Sequence, residues 1–572
     1  MRNFQRPFRQ NDRPSFKRPL PDLAPNNIRI IGIGGNEESG RNMWAIEYRD
    51  TIVVLDGGIQ YSALKTPGID FILPNSAYLK EKKHKVKAII ATSPHMDHVG
   101  AIPYFAADFP QATIYARNVT GEIIKARAER LKSKIEDNIF PIEEQMSIAV
   151  GYMNLRFWNI NDDTPGELSV SIESNYGDIV YMSNTQVLGK DTAYKYFENR
   201  NVLCLLASSG NADQNGFAPK EEGIYTGLAT AIHNAEGRVF IGTFASHPER
   251  IRFILDMCNQ LGKKVVVDSP AITDMIKAIK IANNTKMYDE LIISDEAAEN
   301  IPHNKLVYLV AKVEGDELYN LDKIANGKHD KLQFTENDTV IFATHAIVHN
   351  QRQAQNLKDK LSRFGVHILH YRATEVNLYR YGHSEDLEYI HRKMHPNYFI
   401  PMHGYHYMLR VHADVERKMG TPESNILIPD NGSVIEIVDD GKNMIMLRDK
   451  VDTEMIVVDG QNVGKIQDVV MRDRETLGAQ GIFVMIAIID THLHKLKKSP
   501  DIASRGFVYS KESQTLMLEA RDTIKNTVDA YLEKNKTIDT DNIKETLQSV
   551  VSKFLLQKTA KEPVVISVII TI

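Results

Sequence analysis

Short β-branched runs, each ending in a tight turn, constrain this chain more than any other feature. "IRIIGIGG", "TIVVLDGG", "KVKAIIATSP" and "GDIVYMSN" all have this form. An apolar run of that length without alternation fits a strand buried on both faces, and the turn that follows is where polar side chains emerge. Near residue 220 the pattern changes to strand-helix alternation. "GRVFIGTFAS" leads into "HPERIRFILDMCNQLG", and "DTVIFATHAI" into "QRQAQNLKDKLSRFG". These read as βα units of a parallel sheet, with a further strand at "PNYFIPMHG". "KARAERLKSKIEDNIF" reads as helix. Beyond about residue 446, "MIVVDGQNVGKIQDVVMRDRETLGAQGIFVMIAIID" reads as short strands with turns. "SQTLMLEARDTIKNTVDAYLEK" then reads as an amphipathic helix and "PVVISVII" as a closing strand, together a small α+β domain.

A chain of 572 residues is too long for one hydrophobic core and implies two to four domains. With 42% hydrophobic and 25% charged residues it has the composition of a soluble globular protein. Its net charge of −5 means that any nucleic-acid surface must be local. The two cysteines, Cys204 and Cys258, exclude a disulfide framework and a cysteine-rich zinc site, and they suit a reducing cytosol. No apolar run approaches the ~20 residues that span a bilayer, and the polar N-terminus lacks the apolar region of a secretion signal. A cytoplasmic protein with no membrane partner is expected.

Residues 1–26 are rich in Arg, Pro and Asn. Arg2, Arg6, Arg9, Arg13, Lys17 and Arg18 alternate with Phe4, Phe8 and Phe16. The segment is either a solvated disordered tail or a basic arm that meets phosphates and stacks on bases.

The turn "ATSPHMDHVG" carries the most chemistry. His95, Asp97 and His98 follow a buried strand, and a turn can aim such side chains at one metal. A catalytic zinc keeps one position open for water and makes hydroxide available near neutral pH. The competing reading is a solvated surface turn that holds two histidines by chance.

"SPHMDHVGA" resembles the His-any-His-any-Asp-His signature of the metallo-β-lactamase fold. "NNIRIIGIGGNEESGRNMWAIEY", "GIDFILPNSAYLKEKKHKVKAI", "TFASHPERIR", "NGKHDKL", "DTVIF", "YGHSE", "PNYFIPMHG" and "DIASRGFVYSKES" are similar, in order, to ribonuclease J. The resemblance implies an α/β architecture. A metallo-β-lactamase αββα sandwich is interrupted by an inserted β-CASP α/β domain and followed by a small C-terminal α+β domain. The boundaries expected are a basic arm over 1–26, the sandwich over 27–220 and 372–446, the insert over 221–371, a linker over 447–460 and the last domain over 461–572. It also implies a metal-dependent 5′-to-3′ exonuclease and endonuclease of RNA decay and maturation, commonly with two zinc ions.

Carried over residue by residue, the resemblance implies a depleted site. Ser93 stands for the first histidine of the signature, while His95, Asp97 and His98 match. Asp162 falls where a further histidine is expected, and Asn184 where the bridging aspartate is expected. His403 is kept, but Tyr405 replaces the glutamate of the "His-Gly-Glu" turn. The first metal position is left with Ser93, His95, Asp162 and Asn184, a poor set for zinc. The second keeps Asp97, His98 and His403 beside Asn184, and suits at most one zinc or manganese ion, or none. Asp97 and His383 are the catalytic candidates, with His383 near the scissile phosphate. Gly382, Arg380 and Gly315 join it as RNA-binding candidates. Asp316 keeps an acid beside Gly315, and Ser208 replaces an aspartate.

The leading expectation is an RNA-binding ribonuclease J-like subunit with weak or no nuclease activity. It would form a homodimer, or a hetero-oligomer with an active ribonuclease J. The alternatives are a single-metal nuclease built on Asp97, His98 and His403, and a non-enzymatic scaffold on RNA or the ribosome.

Overall fold

Every residue of Ile28–Gly34, Met43–Tyr48 and Thr51–Leu55 is buried, as unbroken β-branched runs require. Val86–Ala91 and Gly177–Met182 are strands as well. The structure is a computed structural model. It describes residues 20–61, 68–158, 166–187, 194–218, 222–243, 245, 247–311, 318–343, 351–370, 381–460, 462–464, 468–508, 514–535 and 537–572. Two compact units emerge, Met1–Tyr61 with Phe71–Ile456, and Ser62–Asp70 with Val457–Ile572.

In the larger unit two sheets face each other. The first has eight strands and the order Asn443–Met446, Val434–Val438, Ile28–Gly34, Met43–Tyr48, Thr51–Leu55, Val86–Ala91, Thr113–Ala116 and Ile139–Pro141. The second has six, in the order Tyr398–Met402, Val202–Ser208, Gly177–Met182, Ser169–Ser174, Met153–Trp158 and Ser147–Val150. Ile30, Trp44, Ile46 and Val53 of the first sheet and Phe157, Val170, Ile179 and Ile400 of the second share one buried core. Each such side chain contributes roughly 1.5–3 kcal/mol by leaving water. Helices cover the outer face of the second sheet, where Ile390 and Ala413 pack against Leu205 and Phe399.

The chain leaves the second sheet at Ser208 and returns to it at Tyr398. The two strands involved are parallel neighbours, with Leu205 opposite Phe399. Between them lies an inserted, wholly parallel five-stranded sheet in the order Lys264–Asp268, Leu306–Val310, Val239–Thr243, Thr339–Ala343 and His367–His370. The α/β sandwich with an α/β insert expected from the sequence is the architecture observed.

In the smaller unit, Ile482–Asp490 alternates buried and half-buried residues. Phe483, Met485, Ala487 and Ile489 pack on Ile524, Val528, Leu547 and Val551 of helices Gln514–Lys534 and Thr540–Thr559. The second helix has no counterpart among the sequence expectations. Two expectations need correction. Residues 468–480, read as strands and turns, form helix Asp468–Gln480. Its Arg, Glu, Leu, Ala and Gln outweigh the paired valines, and Gly481 at φ +80° stops it. The helix expected through "KARAERLKSKIEDNIF" ends at Leu131, where Lys132 turns left-handed (φ 55°), and Ile139–Pro141 is a strand. Among the described residues no helix is long and apolar enough to cross a membrane.

Candidate metal and RNA site

Strands Thr51–Leu55 and Val86–Ala91 run parallel, as do Gly177–Met182, Val202–Ser208 and Tyr398–Met402. Their C-terminal ends deliver Asp56, the His95–His98 turn, Asn184, Ser208 and His403. Ligand sites form outside such ends. Backbone bonds clamp the turn. Gly57 N donates to His98 O at 2.7 Å, Ile59 N to Met96 O at 2.9 Å, and Asn42 N to Asp97 O at 3.2 Å.

Asp56 is the centre of the polar network, fully buried and held at φ 63°. One carboxylate oxygen accepts from Thr92 N and Thr92 Oγ1, both at 2.8 Å. The other accepts from His98 Nδ1 at 2.7 Å and from the Tyr181 hydroxyl at 2.9 Å. That hydroxyl also lies 3.0 Å from His403 Nε2. Burial first, and then the Asp56 charge, hold the Tyr181 phenol far above its ordinary range, so it stays protonated. Its one proton goes to the carboxylate, which leaves His403 Nε2 to donate to the phenolic oxygen.

His98 Nε2 lies 3.2 Å from Asn42 Nδ2 and 3.5 Å from Asp97 Oδ2. Asp97 Oδ2 also accepts from Asn42 Nδ2 at 3.4 Å and from Tyr381 Oη at 3.3 Å. The rings of His98 and His403 stand edge to face with centroids 5.4 Å apart.

At the first metal position the structure brings Ser93 and Asn184 together on a residue absent from the expected ligands, Glu167. Its carboxylate is buried; it accepts from the Asn184 amide and, at 3.4 Å, from Ser93 Oγ. Asn184 Oδ1 accepts from Gln186 N at 2.9 Å, which fixes which end of the amide faces Glu167. His95 is buried beside His247, which begins helix Pro248–Gln260 of the insert; their ring centroids are 4.9 Å apart. Asp162 lies outside the described residues.

The 381–383 turn joins the same region. Gly382 N donates to Thr185 Oγ1 at 2.9 Å, one residue past Asn184. A side chain at Gly382 would collide with Thr185 O, 2.2 Å from where its Cβ would stand. His383 opens helix Ser384–Met394. Buried Asp386 ties the neighbourhood by accepting from His383 N at 2.9 Å, Val187 N at 2.8 Å and Ala218 N at 2.7 Å. Burial raises its pKa, and those three N–H groups pull the other way. Ser208 is fully buried, and its carbonyl accepts from Thr185 Oγ1 at 3.4 Å. Tyr405 is exposed at the start of helix His406–Lys418. Gly315, Asp316 and Arg380 lie outside the described residues.

Ser93 and Asn184 offer a cation neither an imidazole nor a carboxylate. Among the described residues, one trio of His and carboxylate groups has ligand atoms all within 4.8 Å of one another, and it is Glu37, His406 and Asp430. Asp97, His98 and His403 do not form such a trio. His406 Nδ1 faces Glu37 at 3.2 Å, its Nε2 accepts from Arg410 at 3.2 Å, and Lys450 holds Asp430 at 2.5 Å. Reading ligands by spacing found the turn, but missed Asp56, Glu167, Tyr181, Tyr381 and Asn42. Asp56 had a signal in "LDGG", an acid at a strand end beside a glycine pair.

Comparison with known proteins identifies the domains. Residues 469–572 match the ribonuclease J C-terminal domain, 236–361 the ribonuclease J beta-CASP domain, and 64–206 the beta-lactamase superfamily domain. The chain is 27% identical over 554 residues to ribonuclease J2 of Bacillus subtilis, covering 96% of this chain and 99% of that one. It is 28% identical over 555 residues to ribonuclease J 2 of Staphylococcus aureus (95% and 98% covered) and 26% over 558 to ribonuclease J 1 of Streptococcus pyogenes (96% and 98%). A crystal structure of an Enterococcus faecalis protein of unknown function shares the fold, with TM-score 0.50 and 14% identity over 72% of this chain and 100% of that one. The metallo-β-lactamase domain points to a metal-dependent lineage, and all three domains stand in order along one chain. The chain belongs to the ribonuclease J family, proteins of RNA decay and maturation.

Proposed function

We propose that this protein binds RNA where the His95–His98 and 381–383 turns meet and cuts it weakly or not at all. One observation carries the reading. Where a bridging carboxylate would face two cations, Asn184 presents an amide that donates to Glu167. An amide N–H repels a cation, and two-metal clamping of the attacking and leaving oxygens needs both ions. RNA binding draws support from the 381–383 turn, where His383 begins a helix of 11 residues and adds an imidazole to a helix N-terminus, the end that favours phosphate.

The partner in this reading is a second copy or an active ribonuclease J, joined through the C-terminal domain. Strand Val564–Thr571 turns Ile566, Val568 and Ile570 outward, 40%, 37% and 42% exposed. A row of uncovered aliphatic side chains fits an interface. The basic arm, residues 1–26, supplies further contacts to RNA or the ribosome, and the protein works in the cytoplasm.

The test is incubation of the full chain with 5′-monophosphorylated RNA and manganese or zinc, beside His98→Ala. Bound but intact RNA is expected. Degradation that disappears in His98→Ala favours the single-metal nuclease instead and ends this reading.

A further inference from the structure

We infer that the chain turns its own hydrogen-bond donors on His98 Nε2, Asp97 Oδ2 and Glu167, so that the His95–His98 turn is ordered without an ion. The inference rests on the reading above and adds what stands in the place of each cation. A ligand atom holds a metal through a lone pair, and a lone pair that accepts a hydrogen bond is not available to a metal.

At the second position the chain's own groups engage His98 Nε2 and Asp97 Oδ2. His98 Nδ1 gives its proton to Asp56. In the neutral ring, Nε2 is then the acceptor, and Asn42 Nδ2 donates to it at 3.2 Å. In the charged ring, Nε2 carries a proton toward Asp97. Neither state leaves that nitrogen open. The second hydrogen of Asn42 Nδ2 and the Tyr381 hydroxyl both point at Asp97 Oδ2. His403 Nε2 spends its proton on Tyr181, whose hydroxyl bridges it to Asp56. At the first position the Glu167 carboxylate supplies the negative charge, and Asn184 with Ser93 supplies the donors. Asn42, Tyr381, Tyr181, Ser93 and Asn184 therefore aim N–H and O–H groups at acceptors across the region, as in a buried hydrogen-bond network.

Two consequences follow that a site merely weakened by lost ligands would not show. The fold should be indifferent to chelation, because no bond in the network uses a metal. Deleting a donor should then cost stability equally with and without metal. Tyr181→Phe removes the hydroxyl between Asp56 and His403, and Glu167→Gln replaces an acceptor facing two donors.

The experiment uses the purified full chain, dialysed against zinc or manganese and then assayed for metal by mass spectrometry. Its melting temperature is read with EDTA and with each ion. Less than about a tenth of an equivalent of metal is expected, with one melting temperature in all conditions, since a bound ion adds its binding energy to folding. Tyr181→Phe and Glu167→Gln should each melt several degrees lower by the same amount in EDTA and in metal. About one equivalent or more of zinc or manganese, lost in Asp97→Asn, would overturn the inference, as would melting that rises with metal in the wild type and not in that variant. RNA incubated with the same samples separates the two ideas. Metal uptake without cleavage sinks this inference alone, and cleavage without bound metal sinks the functional reading alone.

Discussion

Gly58 shows how closely the His95–His98 turn is held. A Cβ there would stand 1.6 Å from the carbonyl oxygen of Asp97, inside any contact distance. Gly58→Ala must push the His95–His98 turn away from its clamp, and overpacking of this severity costs about 3 kcal/mol. Urea unfolding of the variant measures it, and an unchanged midpoint would contradict the geometry. A second residue-scale effect lies behind His403. Ser209 donates its backbone N–H to Met402 O at 2.8 Å, and its hydroxyl meets His412 Nδ1 at 2.9 Å. His412 Nε2 meets His391 Nε2 at 3.0 Å, and His391 pairs with buried Glu416. Burial, and then His391, hold the His412 imidazole well below its ordinary value of 6.5. The unfolded chain takes up a proton there below about pH 6.5 while the folded chain does not. Stability is therefore complete above that pH and falls as pH drops, by up to ~1.4 kcal/mol per unit. His412→Asn should flatten the fall in melting temperature between pH 7.5 and 5.5, and an equal slope in both proteins would refute the assignment. At this scale the sequence was informative where a ligand type was missing. Ser93 and Asn184 stand where the resemblance leads one to expect a histidine and an aspartate. It was silent on Glu167 and Tyr181, because a carboxylate or a phenol declares no role until pairing of strands sets its neighbours.

Among the elements, the long apolar runs were legible because they bury both faces and leave one conformation open to them. The C-terminal domain was harder. Residues 468–480 contain Val469 and Val470, which suggest a strand, but the following turn residues and helix formers decide otherwise. Helix Thr540–Thr559 places Ile543, Leu547, Val551 and Leu555 in a buried stripe, four residues apart. Asp539 caps it by accepting from Asp541 N at 3.1 Å and Asn542 N at 3.2 Å. That stripe is spaced as a helix demands, and a window-by-window count of apolar spacing finds it. Leu547→Ala opens a cavity in this core and should cost about 2–5 kcal/mol, read by chemical unfolding of the full chain. A loss below about 1 kcal/mol would mean that the two helices do not pack as described.

For the whole molecule, the fold is that of the family. Sheets, insert and C-terminal domain match the ribonuclease J family along the chain, while Ser93 and Asn184 both donate to buried Glu167. In the assembly proposed here, Ile566→Asp with Ile570→Asp in the full chain should lower the mass seen by light scattering. An unchanged mass would remove the C-terminal sheet from the interface. One RNA experiment tests the proposed function most directly. The full chain, with manganese or zinc and 5′-end-monophosphorylated RNA, should shift the RNA on a native gel and return it at full length on a denaturing one. Progressive shortening from the 5′ end that vanishes in His98→Ala would contradict the account.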